Sequence, residues 1–348
     1  MLLGQALNTT FVHEKLSRSD YFLLTKVGRI GSASFDYSAV GVRKSVHRSL
    51  ERLHTGYLDV VYCHDVEFVT PEEVLTAVTE LRRLRDESGI IKYVGISGYP
   101  VTTLCDLAEL ILARTGTPLD IVMSYANFTL QNTLLSSVGL NRLRAAGVDV
   151  VPNASVLGMG LLRQDGVPLG AQGDWHPSSG GLRSVVREAS EWCSEQNEKI
   201  EKVAIRYAIE TWMREAKSVG SGGDSASGVP STSETNDTLG GTKLGVSVIG
   251  VSTIEELDET MRVWRSILDG LENGEEIALE SGRGTGEHLW SLKRQEQVKK
   301  LARGVRRILG PWIDRTWPSP PPGFVNKPVL SPPTPEQLPT PAASPRPC

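Results

Sequence analysis

The chain has 348 residues, 39% of them hydrophobic and 22% charged, with a net charge of −4, which is typical of a globular protein the size of one large α/β barrel or two ordinary domains. This mildly acidic balance argues against a nucleic-acid or anionic-lipid partner, and no apolar run is long enough to span a membrane. The four scattered cysteines lack the CxxC spacing of a metal or disulfide framework and the N-terminus lacks a signal-peptide pattern, so we expect a cytoplasmic protein without a metal site.

The first half of the chain alternates short β-branched or aromatic runs with amphipathic segments. Residues 1–7 resemble the end of a helix that has no capping residue ahead of it. The helix after the second strand has a clear start, since Thr70 is a good N-cap, Pro71 suits the first helical position and the next two acids favour the positive end of the helix dipole. The predicted strands cover about residues 21–27, 57–63, 91–97 and 119–125, and the predicted helices about residues 38–53, 70 onward, 101–114 and 134–146.

The second half continues the alternation with longer connections. Residues 218–243 are rich in Gly, Ser, Thr and Asp and predict a flexible surface insertion. The Thr253-x-x-Glu256 spacing predicts a capping box at a helix start. Residues 311–348 are dense in proline and predict a disordered tail. The other predicted elements are a strand at 148–153, a helix at 182–217, a strand at 245–250 and a helix at 287–308.

Six strand–helix units behind a helix fragment favour a closed barrel over an open sheet. A (β/α)8 barrel takes eight strands, so residues 1–310 would form a barrel without its first strand, the following helix and the second strand. The rival is a doubly wound sheet, which expects a GxGxxG turn after the first strand. The turn here is Gly28-Arg29-Ile30-Gly31, which lacks that spacing. We therefore predict an α/β fold, a (β/α)8 TIM-type barrel lacking its first two strands.

Two ionisable residues follow neighbouring predicted strands. Lys26 ends the first strand and His64 follows the second, and the helix between them makes the strands parallel. The carboxyl ends of parallel strands are where α/β folds place their chemistry, and a lysine beside a histidine or a phenol depresses its pKa for acid–base work. Taken alone, Lys26 is equally well explained as a solvated lysine, and His64 as a histidine that hydrogen-bonds the next loop. Their position at the ends of adjacent parallel strands predicts that they form a catalytic pair. Asp65 favours a structural role, as an acid that caps the following loop.

Five segments, taken in order, resemble the aldo-keto reductases. The resemblance covers about residues 1–310 and is strongest to the branch that contains fungal D-arabinose 1-dehydrogenases and plant L-galactose dehydrogenases, to which the Tyr-Cys-His-Asp-Val-Glu-Phe and Asn-Ala-Ser runs point. It implies a (β/α)8 barrel that binds NAD(P) without a Rossmann fold and moves hydride between nicotinamide and a carbonyl or lactol carbon. The segments are Leu-Gly-Gln-Ala-Leu, Leu-Leu-Thr-Lys26, Tyr-Cys-His64-Asp65, Lys92-Tyr-Val-Gly-Ile-Ser97 and Leu157-Gly-Met-Gly-Leu-Leu162.

The family's catalytic set is an Asp, a Tyr, a Lys and a His, of which the resemblance assigns Lys26 and His64. In that scheme the tyrosine transfers the proton, the lysine paired with the aspartate lowers its pKa, and the histidine orients the substrate oxygen. The Asp and Tyr normally lie just before the Leu-Gly-x-Ala-Leu helix, inside which this sequence begins, and neither Tyr21 nor Tyr37 is a convincing substitute. We therefore expect the sequence to derive from a truncated gene model or transcript. We expect the chain to be inactive and poorly folded, because two missing strands would cost more than typical net stabilities of about 5–15 kcal/mol.

The resemblance also implies positions that bind the nicotinamide half of the cofactor. Ser97 matches a serine that binds the carboxamide, but Gly98 stands where the family usually has Asn. Ser124 occupies the place of a common Gln. Ala154 falls where many members stack a Tyr on the nicotinamide ring, so stacking is weaker or comes from elsewhere. The loop on the pyrophosphate side is matched by Ser155 and Leu157.

The segment that binds the adenosine phosphate in the family aligns with residues from Gly250 to Glu259. Within it, Thr253 and Glu259 match positions that recur in the family. Glu256 stands where strongly NADP-selective members place an Arg, and a carboxylate repels a 2′-phosphate. We therefore expect NAD as the preferred cofactor, with NADP possible. The alternative is that Glu255 and Glu256 only cap a helix.

Two functions from different classes follow from these observations. The first is an NAD(P)-dependent oxidoreductase that oxidises an aldose, of the D-arabinose or L-galactose type, at C1 to the lactone. The second is a non-catalytic barrel, either a degenerate subunit or a scaffold. The residues give no signature for which sugar is used or for the oligomeric state. A proline-rich tail suits an SH3-like partner, although a solvated extension explains low complexity at a terminus as well.

Overall fold

A computed structural model of the chain describes residues 2–168, 170–222, 243–270 and 286–327. Most of the predicted insertion, residues 223–242, and the last part of the predicted tail, residues 328–348, lie outside the described residues. The chain divides into two compact units, one of residues 1–121 with 319–348 and one of residues 122–318. None of the helices in the described ranges combines the length and the apolar character needed to cross a bilayer.

The first unit alternates strands and helices as predicted. An α-helix that was not predicted lies in the connection before the first strand, where Thr9 caps it by accepting a hydrogen bond from the Val12 N–H group. The elements are α1 (Leu2–Leu7), α2 (Thr10–Lys15), β1 (Leu24–Val27), α3 (Ala39–Leu53), β2 (Leu58–His64), α4 (Pro71–Ser88), β3 (Ile91–Gly98) and α5 (Val101–Thr115).

The start of α4 confirms the helix-start prediction. Thr70 Oγ1 accepts from the Glu73 N–H group at 3.3 Å, and Glu73 Oε2 accepts from the Thr70 N–H group at 2.8 Å, so the two residues form a reciprocal capping box. Pro71 occupies the first helical position, where its missing N–H group costs nothing. The helix ends at Gly89 in the left-handed region that glycine adopts without strain.

The three strands of the first unit pair in parallel, β1 with β2 and β2 with β3. In this register Lys26 lies opposite Tyr62, and His64 lies opposite Ser97. Side chains of one strand alternate between the two faces, so Tyr62 and His64 share a face with Lys26. The strand pairing therefore brings the predicted residues to one edge of the unit, while the interior of β2 is buried.

The second unit also holds parallel strands, β4 with β5 and β5 with β6. Two of these strands are much shorter than the predicted 148–153 and 245–250, since only two residues of each keep the ladder pattern. A π-helical turn at 135–139 opens the predicted helix at 134–146. The elements are β4 (Ile121–Tyr125), α6 (Leu140–Ala145), β5 (Asn153–Ala154), α7 (Gly180–Glu195), α8 (Ile200–Glu215), β6 (Ser247–Val248), α9 (Ile254–Asp269) and α10 (Gly286–Leu309).

The single helix predicted at 182–217 is wrong, because the segment forms α7 and α8. Asn197 adopts the left-handed conformation after α7. The Glu198 N–H group then bonds the Cys193 carbonyl at 3.0 Å, and the Asn197 N–H group bonds the Ser194 carbonyl at 3.0 Å. These two bonds form a Schellman motif, which satisfies the last carbonyls of α7 and turns the chain. The apolar spacing continues through the break because both helices bury a face in the same core.

The disordered tail predicted from residue 311 does not hold for residues 311–327. In the second unit, the Gln131 side-chain amide donates to the Trp312 carbonyl at 2.7 Å, and the Asp314 carboxylate accepts from the Thr133 N–H group at 2.7 Å. In the first unit, the Phe324 ring packs edge-on against Phe68. Aromatic and amide side chains within the proline-dense stretch supply packing and hydrogen bonds that composition alone does not reveal.

Candidate functional site

The carboxyl ends of β1, β2 and β3 carry the predicted residues of the first unit. His64 is partly buried, with 32% of its side chain exposed, and burial lowers its pKa to about 4. The Asp65 carboxylate opposes this shift, while the cations of Lys26 and Arg29 add to it. His64 is therefore neutral at pH 7, with one ring nitrogen able to donate a hydrogen bond and the other able to accept one.

The Lys26 ammonium group has a lowered pKa. Surrounding protein atoms disfavour its charge, and the Asp65 carboxylate partly restores it. More than a third of the residue is still accessible to solvent, which limits the shift. A cation beside a neutral histidine at a strand edge can stabilise negative charge that develops on a substrate oxygen.

Asp65 does not cap the following loop as predicted. It adopts the left-handed conformation with φ of 59° and makes no side-chain bond to the turn at 66–68. Its buried carboxylate instead forms an ion pair with the Arg29 guanidinium and lies 3.5 Å from His64 Nε2. These contacts make Asp65 part of the charge balance around His64. Sequence reasoning missed Arg29, whose only signal was its position two residues past β1.

Of Tyr21, Tyr37 and Tyr62, none offers an ionisable phenol at this edge. The Tyr37 hydroxyl donates to the His64 carbonyl at 2.7 Å, and burial raises its pKa well above the usual value. The Tyr62 hydroxyl is buried without a hydrogen-bond partner, and burial raises its pKa too. Tyr21 lies at the amino end of β1, where the Arg18 guanidinium sits over its ring. Deprotonating either buried phenol would be costly.

Glu67 is a second residue of this edge that sequence reasoning did not assign. Its Oε1 atom accepts from the Ser319 hydroxyl at 2.8 Å and from the Tyr99 N–H group at 3.1 Å, whereas Oε2 is buried without a partner. Burial raises the pKa of Glu67 to about 7, and the nearby Asp65 carboxylate adds to the shift. A Cβ atom on Gly98 would lie 2.4 Å from Oε2, so the glycine makes room for this carboxyl group.

The remaining predicted residue of this unit, Ser97, is buried at the end of β3. Its hydroxyl donates to the Cys63 carbonyl over a long 3.4 Å. Such a weak bond leaves the hydroxyl free to turn toward a stronger acceptor or donor.

The second unit holds the other predicted cofactor residues. Ser124 is fully buried, and its hydroxyl accepts from the Asn127 side-chain amide at 3.0 Å. Ser155 adopts the left-handed conformation with φ of 58°, and its hydroxyl accepts from the Met159 N–H group at 2.9 Å, which closes the glycine-rich loop into a turn. Leu157 is half-buried and packs on the core of the unit. Ser124 and Ser155 therefore already have partners within the protein.

The segment before α9 is exposed, and Gly250 lies within it. Thr253 caps α9 by accepting from the Glu256 N–H group at 3.1 Å. The predicted capping box is only half right, because Glu256 Oε2 accepts from the Ser252 N–H group at 2.7 Å instead of from Thr253. Glu256 also forms an ion pair with Arg163, a partner that sequence reasoning missed. One turn further on, Glu259 pairs with Lys202 at 2.7 Å.

The start of α9 fits the phosphates of a dinucleotide. A 16-residue helix presents the N–H groups of its first turn, of which Thr253 accepts that of Glu256, together with the positive end of its dipole, and both favour anions. The Arg163 guanidinium lies at the same turn. The flanking surface is open, with Ile254 74% exposed. These donors suit the pyrophosphate or adenosine phosphate of NAD(P).

Comparisons with known proteins identify the family to which this chain is similar. The model of the Aldo/keto reductase family matches residues 1–273. The chain is 45% identical over 215 residues to D-arabinose 1-dehydrogenase of Saccharomyces cerevisiae, a stretch that covers 61% of this chain and 62% of that protein. It is 36% identical over 211 residues to L-galactose dehydrogenase of Arabidopsis thaliana, which covers 60% of each. The matched stretch thus spans about three fifths of the length of these relatives.

Proposed function

The chain belongs to the aldo/keto reductase family, with that family's α/β alternation of parallel strands and helices, and from this premise we propose that it is an NAD(P)-dependent oxidoreductase acting on sugars. Its substrate would be an aldose of the D-arabinose or L-galactose type, oxidised at C1 to the lactone. The observation that carries the proposal is the pair of Lys26 and neutral His64 on one face at the carboxyl ends of β1 and β2.

In the proposed reaction His64 orients the C1 hydroxyl of the sugar by a hydrogen bond. A neutral imidazole does this without adding charge to the site. Lys26 stabilises the negative charge that develops on the oxygen as its proton passes to solvent water. A bound nicotinamide would supply the acceptor for the hydride that leaves C1. In the second unit, Arg163 and the first turn of α9 would hold phosphate groups.

We further propose that the 348 residues alone turn over slowly. Within the described part of the chain, the Tyr37 hydroxyl is committed to the His64 carbonyl and the Tyr62 hydroxyl is enclosed, so neither suits the proton-transfer role that the family gives to a tyrosine. The second candidate function is that of a non-catalytic binding subunit. It is supported by the same finding that neither Tyr37 nor Tyr62 offers a phenol for proton transfer.

One experiment separates these proposals. The full chain, its Lys26→Met and His64→Gln variants, and the yeast relative are titrated with NADH by fluorescence and assayed for NAD(P)H formation with D-arabinose and L-galactose. We expect NADH binding together with turnover far below that of the relative. Turnover equal to the relative, lost about 10²-fold or more in Lys26→Met, would contradict slow turnover and support the enzyme. Absence of binding to NADH and NADPH would contradict both functions.

We propose that NAD is preferred over NADP. Glu256 is fixed by the Ser252 N–H group and by Arg163, so a 2′-phosphate would have to compete with an anchored carboxylate for the same guanidinium. Replacing Glu256 by Gln should narrow the difference between the Kd values for NADPH and NADH. Glu255→Gln, which removes an exposed neighbouring charge, is the control and should change little. If the ratio of the Kd values for NADPH and NADH is unchanged in Glu256→Gln, Glu256 acts only as a helix cap and does not select the cofactor.

We propose a cytoplasmic location on the ground that, among the described residues, Cys63 and Cys193 are buried thiols outside any disulfide. Localisation of a tagged chain by microscopy would test it.

A further inference from the structure

The C-terminal segment 319–327 crosses the loops that follow β1 and β2. Asn326 makes two hydrogen bonds with the backbone of Phe35, accepting from its N–H group at 2.9 Å and donating to its carbonyl at 3.1 Å. The Lys327 N–H group donates to the Ala33 carbonyl at 3.1 Å. Asn326 therefore pairs with the loop almost as a neighbouring strand would, and fixes the backbone of Phe35.

An aromatic cluster adds a second attachment. The rings of Phe35 and Phe68 stack with centroids 5.0 Å apart, and the Phe324 ring meets both edge-on, at 6.0 Å from Phe35 and 4.9 Å from Phe68. Stacked and edge-to-face rings attract each other beyond the area they bury. Phe324 thus ties the loop after β1 to the turn after β2.

A third attachment runs through Ser319. Its hydroxyl donates to Glu67 Oε1, and the same oxygen accepts from the Tyr99 N–H group. Glu67 and Phe68 belong to the turn that directly follows His64 and Asp65. The segment therefore holds the turn after β2 at two successive residues.

Two routes lead from the region of Phe35 to His64. Tyr37, two residues after Phe35, donates its hydroxyl to the His64 carbonyl at 2.7 Å, and its ring fills the space where a Cβ atom on Gly28 would stand. The Arg29 guanidinium lies over the Phe35 ring, 5.7 Å from its centroid, and pairs with Asp65 beside His64. A shift of Phe35 would therefore move both the hydrogen bond to His64 and the charges next to it.

We propose that residues 319–327 form a strap that positions His64, through Asn326 on Phe35, Phe324 on the Phe35–Phe68 pair, and Ser319 on Glu67. The importance of this for turnover rests on the role proposed above for His64. Asn326, Phe324 and Ser319 are positioning residues, because they act on His64 through other residues. The charged groups that face the imidazole are Lys26, Arg29 and Asp65.

The experiment cuts each attachment singly in the full chain. Asn326→Leu removes both backbone bonds at similar side-chain size, Phe324→Ala removes the ring, and Ser319→Ala removes the hydroxyl on Glu67. Val325→Ala is the matched control, because Val325 lies between the two main attachments with 70% of its surface exposed. The first readout is the pH titration of the His64 ring followed by NMR, with His64→Gln identifying its signal among the six histidines.

We expect the His64 titration to move upward from about pH 4, toward the usual histidine value, in Asn326→Leu and Phe324→Ala, and less in Ser319→Ala. The reason is that a loosened loop lets water reach the ring and weakens the Arg29–Asp65 arrangement. Val325→Ala should titrate as the wild type does. A merely structural strap would lower the urea midpoint without moving the titration of the folded state, so unchanged His64 titration in both Asn326→Leu and Phe324→Ala would overturn the proposal.

A second readout links the strap to the reaction. Where turnover is measurable, kcat should fall by up to about a hundredfold in Asn326→Leu while the NADH Kd stays within a factor of about two, because displacement of a catalytic group by about 1 Å has effects of that size. An equal loss in Val325→Ala would count against the strap. Failure of the wild-type chain to bind nucleotide would overturn the proposed function, and the NMR titration would still decide whether the strap positions His64.

Discussion

The two ends of the same three strands in the first unit bury ionisable groups in opposite ways. At the amino end, Asp59 accepts hydrogen bonds from the Leu23 N–H group at 2.8 Å and from Arg18 at 2.6 Å, and pairs with Lys92 at 3.0 Å. Burial alone would raise the pKa of Asp59, but these donors outweigh it and the pKa falls below the usual value. The Arg18 guanidinium in turn lies over the Tyr57 ring, 4.0 Å from its centroid.

At the carboxyl end, burial wins over partners. The pKa of His64 falls to about 4 and that of Glu67 rises to about 7, and in both cases the neutral form is favoured. Within the described part of the chain, Glu67 Oε2 has no hydrogen-bond partner. The pKa of Asp59 falls because hydrogen-bond donors and cations outweigh its burial, whereas at the carboxyl end burial outweighs the partners of His64 and Glu67. A carboxylate whose hydrogen-bond acceptors are all used, such as Asp59, stabilises the fold. A carboxyl group with an unused acceptor, such as Glu67, can change its protonation near neutral pH.

The largest effect should come from breaking the satisfied end. Asp59→Ala leaves the Leu23 N–H group without its side-chain acceptor and removes the carboxylate that pairs with the partly buried Arg18, and we expect a loss of about 3–5 kcal/mol in the free energy of unfolding. Urea unfolding followed by circular dichroism measures it. The control Asp86→Asn removes an exposed carboxylate paired with Arg85 and should stay within about 0.5 kcal/mol of the wild type. Equal losses in both variants would show that the amino end is not specially stabilised.

A smaller effect should appear at the carboxyl end of the strands, where Glu67 and His64 should change the pH dependence of stability in opposite directions. The pKa of Glu67 is raised in the folded state, so its contribution to stability is full below about pH 4.5 and is lost as pH rises through about 7. The pKa of His64 is lowered, so its contribution is present above about pH 6.5 and is lost as pH falls through about 4. In the wild type the two trends oppose each other across most of this window.

Single variants should therefore unmask opposite slopes. Relative to the wild type, Glu67→Gln should lose stability as pH falls from 6.5 to 4, and His64→Gln should lose stability as pH rises from 4.5 to 7. Each change should amount to about 2 kcal/mol across the window, given partial exposure of the groups. The double variant is the control and should follow the wild-type pH profile. Parallel slopes in the two single variants would refute the assignment.

The smallest effect should follow from weakening the charge balance around His64. The Arg29 cation lowers the pKa of His64 directly. It also pairs with the Asp65 carboxylate, whose negative charge raises the pKa of His64, and so offsets that effect. Arg29→Met should therefore raise the His64 pKa, as measured by NMR titration. Lys44→Met, which removes an exposed cation on α3, should leave it unchanged. A fall in the His64 pKa in Arg29→Met would mean that Asp65 does not act on the ring as the geometry indicates.

Sequence reasoning was most successful where one local signal decides. Apolar runs placed β1 to β3, and the Thr70-Pro71 start of α4 was confirmed, because caps and periodicity depend on residues within one turn or strand. It failed at the break between α7 and α8, since the left-handed Asn197 interrupts a helix whose apolar face continues beyond it. It also misjudged Asp65, because whether an acid caps a loop or pairs with Arg29 depends on a second loop.

The sequence by itself determined the family, the parallel α/β alternation and the position of Lys26 and His64 at neighbouring strand ends, because strand order and register follow from chain connectivity and side-chain periodicity. Only the tertiary structure decided how those residues are charged. The pKa of His64 depends on Arg29, and that of Glu67 depends on the hydrogen bond from Ser319. These partners are distant in sequence, and no local pattern encodes their approach. The strap at 319–327 is the clearest case, since its contacts with Phe35 join residues nearly 300 positions apart.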